Sequence, residues 1–312
     1  MVTWFPVVAR GYAARPCQLA EVIRARSAYR GAMYALPTRR HRPWRPCFLA
    51  VLLAVVAFAA LAGATAPAMA APPPAKPTVV LVHGGFTDAS VWARVVTRLQ
   101  RRGYPVAAPA NPLQGLAVDT AYLESVLAAI QGPVVLVAHG YGGMVISNAA
   151  VENPNVKALV YVAAYAPLVV GDNLLSLTLL APGGRLPPAR LGVRRAPATS
   201  TGEAFELFVP PELFHKDFAA DLPVRQAATM AASQRPVMKA VVTDMSGPPA
   251  WKTIPSWYLV PGRDRAIGTA AERIMARRIG ATTVEVKGAS HVVMLSRPDE
   301  TTKLVVRAAR GG

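Results

Sequence analysis

Cysteine is nearly missing from this chain of 312 residues, and the two that occur, Cys17 and Cys47, fall within its first fifty positions. The remainder has no thiol to oxidise, to bridge or to ligate a metal, which excludes a disulfide scaffold and a Cys-based zinc site. A domain of ~240 residues needs neither, because it buries enough apolar surface unaided. Acidic residues are also scarce, 17 against 34 Lys and Arg. That imbalance is uneven: residues 1–70 hold nine Arg and one Glu, leaving 25 basic and 16 acidic residues beyond them. The surplus there is dispersed, without a basic stripe or interleaved aromatics, so no nucleic-acid partner is expected. Phosphate loops, dinucleotide fingerprints and His or Cys ligand spacings are missing too, so no cofactor and no metal is implied. A hydrophobic content of 53% with 16% charged residues excludes a disordered chain.

The first seventy residues read as a targeting segment. Arg39, Arg40, Arg42 and Arg45 precede an uncharged run from Cys47 to about Ala62, and Ala68-Met69-Ala70 offers small residues for cleavage. A signal peptide is expected over 33–70, with 1–32 an overextended start ahead of Met33. The rival, an uncleaved anchor, has an apolar part short of the ~20 residues a span needs, and Pro67 and Pro72 to Pro74 break it. The expectation is a secreted or extracytoplasmic protein with no stable membrane anchor after cleavage. Arg39-Arg40 leaves both the general secretory and the twin-arginine routes open. Residues 71–77 form a Pro-rich extended leader.

From Thr78 strands alternate with helical segments, which predicts an α/β fold with a mainly parallel central sheet flanked by helices. The pattern predicts strands at 78–83, 105–109, 133–137, 156–163, 256–260 and 282–286. Helices are predicted at 90–101, 118–130, 142–152, 270–278 and 298–309. The alternation pauses over 166–249, first rich in Pro, Gly and Arg, then helical with Phe205, Phe208, Phe214 and Phe218. That interval reads as an inserted, mostly helical cap on a core made of 78–165 and 250–312.

Four stretches stand in the loops this pattern creates. His83-Gly84-Gly85-Phe86, with Trp92 nearby, follows the first strand. Ala138-His139-Gly140-Tyr141-Gly142 joins a strand to a helix. Gly262-Arg263-Asp264-Arg265 follows a late strand, and Gly288-Ala289-Ser290-His291 precedes the last helix. Together and in this order they resemble the α/β-hydrolase superfamily, in its branch of small esterases, lactonases and hydroxynitrile-lyase-like proteins, from about Pro77 to the C-terminus. The resemblance implies backbone N–H donors for an oxyanion at Gly85 and Tyr141, and a substrate-binding role for Phe86 and Trp92. It implies His291 as general base and Asp264 as the acid that holds its tautomer. Asp244, in the cap, is the less favoured acid. The other histidines are His41 in the leader, His83 and His139 in motif backbones, and His215 in the cap.

One position departs from the resemblance. The elbow of that superfamily carries a nucleophilic serine, and here Gly140 occupies it without a side chain. Glycine enters the strained elbow conformation with no Cβ penalty, so the fold is expected to survive. Three readings stay open: a pseudoenzyme that binds a ligand, a variant of an active serine enzyme, or an enzyme in which His291 activates water directly. Ser90, Ser147 and Thr87 are near in sequence but outside the turn. The leucines of the cap, Leu174 to Leu180, suggest an apolar pocket wall and a small apolar ester, lactone or aromatic ligand.

Overall fold

The computed structural model describes residues 75–199 and 202–311. The expected overextended start (1–32), signal peptide (33–70) and first part of the Pro-rich leader lie outside them. The chain runs through β1 (Thr78–Val82), α1 (Ala93–Arg101), β2 (Val106–Ala107), α2 (Leu116–Ala128), β3 (Val134–Gly140), α3 (Gly142–Ala149) and β4 (Val156–Ala164). An excursion follows, carrying α4 (Leu174–Thr178), β5 (Gly192–Thr199), β6 (Gly202–Phe208), α5 (Val224–Ala232), β7 (Val237–Met238) and α6 (Ala240–Thr243). The chain then resumes with β8 (Ser256–Pro261), α7 (Thr269–Arg278), β9 (Thr282–Val286), α8 (Val293–Ser296) and α9 (Pro298–Ala309).

Six strands pair in parallel in the order β2-β1-β3-β4-β8-β9. The valine-rich strands explain why both faces are covered, since alternate side chains of a strand point to opposite sides. Val80 and Leu136 pack on one side with Leu123 of α2, Met144 of α3 and Met275 of α7. Their neighbours Val79, Leu81, Val135 and Val137 pack on the other with Val95 and Leu99 of α1 and Val305 of α9. Helix α1 shows the sequence logic plainly: Val95 and Leu99 are buried, while Arg94, Arg98 and Arg101 recur at three- and four-residue spacing on the outer face.

Three local differences from the sequence pattern have physical causes. The strand predicted over 105–109 shrinks to Val106–Ala107 at the sheet edge, because Pro105 and Pro109 bring no N–H to a ladder. The helix predicted from Ser90 opens as a 3-10 turn over Ala89–Trp92, capped by Asp88, whose carboxylate accepts the Ser90 N–H at 2.7 Å. The excursion contains a three-stranded antiparallel sheet, β5-β6-β7, beside its helices. Its composition concealed it: Gly192 and Pro197 sit inside β5, and pairing is supported across strands, with Arg194 opposite Glu206 and their charges 2.7 Å apart. Among the described residues no helix is long and apolar enough to cross a membrane.

Candidate active site

Parallel strands deliver their following loops to one edge of the sheet, and open α/β sheets use that edge for chemistry. The loops after β1, β3, β8 and β9 meet there. Gly140 ends β3 with φ +53°, a left-handed conformation that L side chains adopt at a cost, and the register between β3 and β4 slips between His139 and Gly140. The chain reverses sharply into α3, whose first residue is Gly142. The loop after β1 presses directly on this turn: a Cβ on Gly84 would stand 2.7 Å from the His139 carbonyl oxygen and 3.2 Å from the Gly140 Cα. Glycine at 84 is what lets the two loops touch.

Asp264 and His291 come together from different loops, the carboxylate Oδ2 accepting from imidazole Nδ1 at 2.6 Å with both side chains almost fully buried. The other oxygen, Oδ1, accepts the N–H groups of Ala266 at 2.7 Å and Ile267 at 3.0 Å. Burial alone would raise the Asp264 carboxyl; the imidazole and these hydrogen bonds outweigh it and hold the group down at about 2. Asp264 is therefore ionised across the physiological range. With Nδ1 committed to Asp264, Nε2 is the free nitrogen, and it faces Gly140: a Cβ built there would lie 3.5 Å from it.

Gly140 and His291 open onto a narrow cleft of about 60 Å³ that Gly85, Phe86 and Tyr141 also line. Its walls are apolar and come largely from the excursion, including Leu174, Leu186, Leu191, Phe218, Val237 and Val242. Tyr165 and Thr178 add hydroxyls, 3.2 Å apart. Burial pushes the Tyr165 phenol up to about 12, so it enters the cleft uncharged. Of the two aromatic residues expected to meet a ligand, Phe86 lines the cleft and Trp92 does not. Trp92 ends the 3-10 turn and is fully buried with Val95, Leu99 and other core residues, so it is a packing residue.

The model of the alpha/beta hydrolase family matches residues 79–304. The chain belongs to that family. It is similar to Esterase PIR7B of Oryza sativa subsp. japonica, 28% identical over 261 residues that cover 75% of this chain and 96% of the rice protein. Polyneuridine aldehyde esterase has the same fold, with a TM-score of 0.62 at 20% identity over 74% of this chain and 98% of its own. So does tomato methylketone synthase I, in a structure complexed with 2-tridecanone, with a TM-score of 0.60 at 20% identity over 76% and 98% of the two chains.

This α/β-hydrolase also gives residues around the pair contacts that the sequence did not announce. The His139 ring lies 4.5 Å from the His291 ring, and its Nε2 is 3.2 Å from the His291 carbonyl oxygen. Burial holds His139 well below the ordinary imidazole range, so it is neutral and donates that bond. Phe218, on a π-helical turn, presents its edge to His291 at 4.8 Å. Tyr141 donates from its hydroxyl to Asp119 of α2 at 2.9 Å, anchoring the turn that Gly140 begins. Arg235 donates to the Asn111 carbonyl at 2.8 Å while its own carbonyl accepts the Phe86 N–H at 3.0 Å, tying the excursion to the loop after β1. Each is visible only through tertiary contact. Asp244 instead accepts the Leu116 N–H at the start of α2.

Ser147 is buried and shares its hydroxyl with the Gly143 carbonyl and Tyr161, and Thr87 donates to the Gly84 carbonyl, so neither serves the turn. Among the described residues Asp264, Glu272 and His291 form a cluster whose ligand atoms lie within 4.8 Å of one another. With Nδ1 already bonded to Asp264 at 2.6 Å, the set fits a hydrogen-bonded pair beside a second acid better than a cage open to a cation.

Proposed function

We propose that this protein is an ester hydrolase by type whose turnover is weakened by Gly140 and runs through water activated at His291. The observation that carries the reading is the buried Asp264–His291 pair, 2.6 Å apart, with Nε2 turned toward the space beside Gly140. In this reading a water molecule occupies that space. Its oxygen attacks the ester carbonyl carbon while its proton passes to Nε2, and the charge that develops on the carbonyl oxygen is met by the backbone N–H groups of Gly85 and Tyr141. Collapse of the tetrahedral species breaks the bond to the alkoxy oxygen, which takes the proton back from the imidazolium. Asp264 steadies the imidazolium throughout and stays ionised. Stripped triads retain ~10³ to 10⁴-fold catalysis over water from the oxyanion donors and binding, which sets the scale of activity expected here.

The apolar walls support small apolar esters, lactones or aromatic carbonyl compounds as ligands. The 2-tridecanone held by the similar tomato protein is a ligand of that character. Export with removal of residues 33–70 completes the proposal and rests on the sequence pattern alone. A second reading, capture of such a ligand without turnover, is favoured by one feature: Phe218 stands edge-on to the base and is itself buried, narrowing access to it.

Turnover of a short-chain p-nitrophenyl ester by the parent, His291→Ala and Gly140→Ser proteins separates these. Slow parental hydrolysis that disappears in His291→Ala supports water activation. Thermal stabilisation by the ester with no product released supports capture. An inert Gly140→Ser protein would remove the hydrolase reading altogether.

A further inference from the structure

Glu272 is the anomaly of this site. It lies in the first turn of α7 with no exposed surface, and neither carboxyl oxygen has a hydrogen-bond partner. One of those oxygens lies within 4.8 Å of ligand atoms on both Asp264 and His291. Two carboxyl groups thus share one buried space with a single imidazole. The groups facing Glu272 are Asp264, His291, Tyr258 and Tyr165, with Glu285 and Arg273 farther out. Arg273 offsets this only slightly, because it forks onto Glu285 at 2.6 and 2.9 Å on the outside of the helix.

The allocation of charge follows from the partners. Asp264 has the imidazole N–H and two close backbone N–H groups, while Glu272 has none. An unpaired buried carboxylate is far costlier than a neutral acid, and two carboxyls side by side cannot both ionise. Burial first, and the Asp264 charge second, raise Glu272 well above the ordinary carboxylate range.

We propose that Glu272 is a positioning residue, a neutral carboxylic acid whose O–H donates to the Asp264 carboxylate after a small rotation of its side chain. It acts through Asp264 and does not touch substrate. By drawing on the charge of Asp264, this donor limits how strongly the carboxylate favours the imidazolium, and so keeps His291 available as a base. The inference rests on the reading of Asp264 and His291 as the working pair.

The test follows the His291 ring signals of the intact chain by NMR over a pH series, assigned by their loss in His291→Ala. Glu272→Gln keeps a neutral donor, and is expected to move the pH at which those signals switch by less than about 0.3 unit. Glu272→Leu removes the donor at similar volume, and is expected to raise it by about half a unit or more. A fall of about one unit or more in Glu272→Gln would show that Glu272 carries charge, and no movement in Glu272→Leu would show that it positions nothing. Either result overturns the inference. If Glu272→Leu fails to fold, the carboxyl ¹³C shift of labelled parent decides: the protonated value from pH 5 to 8 is expected, the ionised value sinks the idea. None of these signals depends on turnover, so an inert parent would defeat water activation at His291 without touching this inference.

Discussion

The Cβ that glycine withholds at position 140 would stand 3.5 Å from Nε2 of His291. That is ordinary van der Waals contact, and an Oγ carried one bond further lies within reach of a hydrogen bond to the imidazole. The site is therefore shaped for a side chain it does not have.

Gly140→Ser should consequently raise ester turnover by about 10²-fold or more, since a nucleophile oriented by an existing base needs no other change. The same substitution should lower stability, because serine at φ +53° costs about 1–2 kcal/mol. Enzyme assays beside thermal melts check both signs at once. Higher activity with a lower Tm is the expected pair, and an unchanged Tm would mean that the turn relaxes to a different backbone.

Asp264→Asn, made in the Gly140→Ser background, should reduce turnover by about 10⁴-fold, because an amide cannot hold the imidazole tautomer as a carboxylate does. Stability follows the same group with a definite sign. The folded Asp264 carboxyl sits at about 2 against an ordinary 3.8, so its ionised form contributes stability above 3.8 that is lost as pH falls through about 2. The contribution is roughly 2 kcal/mol at neutral pH. Melting curves should show the gap between parent and Asp264→Asn narrowing between pH 5 and pH 2; a constant gap would mean that the carboxylate is not what the pair stabilises.

Much of this was written in local sequence. Runs such as Val134 to Val137 announce buried parallel strands because both of their faces need apolar side chains, and the loops after them therefore had to converge on one edge. That alone places His83 to Phe86, Gly140, Asp264 and His291 in one neighbourhood. Trp92 shows where such reasoning stops: proximity in sequence to a site loop does not say which way a ring points, and this one turns into the core. Glu272 is the converse case. Nothing in Thr269-Ala270-Ala271-Glu272 distinguishes an acid that favours a helix N-terminus from one packed against a second carboxyl, because that difference is created by the fold of the loop after β8, which carries Asp264, against the loop after β9, which carries His291.

Tyr141 offers a test of how the turn is held. Its hydroxyl is buried and bonded to Asp119 at 2.9 Å, and burial with the neighbouring carboxylate pushes the phenol far above its usual range. Tyr141→Phe would leave that Asp119 oxygen without its donor, a loss of about 1–3 kcal/mol. In the Gly140→Ser background, turnover should fall while the melting temperature drops, since in the proposed mechanism the same residue supplies a backbone donor to the cleft. Asp119→Asn should be milder on both measures, because its amide oxygen still accepts one of the two hydrogen bonds, from the Gln114 N–H and the Tyr141 hydroxyl, that the carboxylate accepts now. If both substitutions leave stability untouched, the anchor is not structural.

Glu272→Gln should stabilise the protein at neutral pH, and the sign can be worked through. The folded Glu272 carboxyl is raised well above 4.5 by burial and by Asp264, whereas the unfolded one ionises near its ordinary value. Above that value the unfolded chain releases a proton that the folded chain retains, so stability declines as pH rises toward the folded transition. Glutamine carries no such proton and escapes the decline. Melts of parent and Glu272→Gln should therefore coincide most closely near pH 4 and separate progressively to pH 8, the variant melting higher. A variant that melts lower across the whole range would mean that the amide cannot occupy the space the acid fills, and that Glu272 is held there by packing more than by its proton.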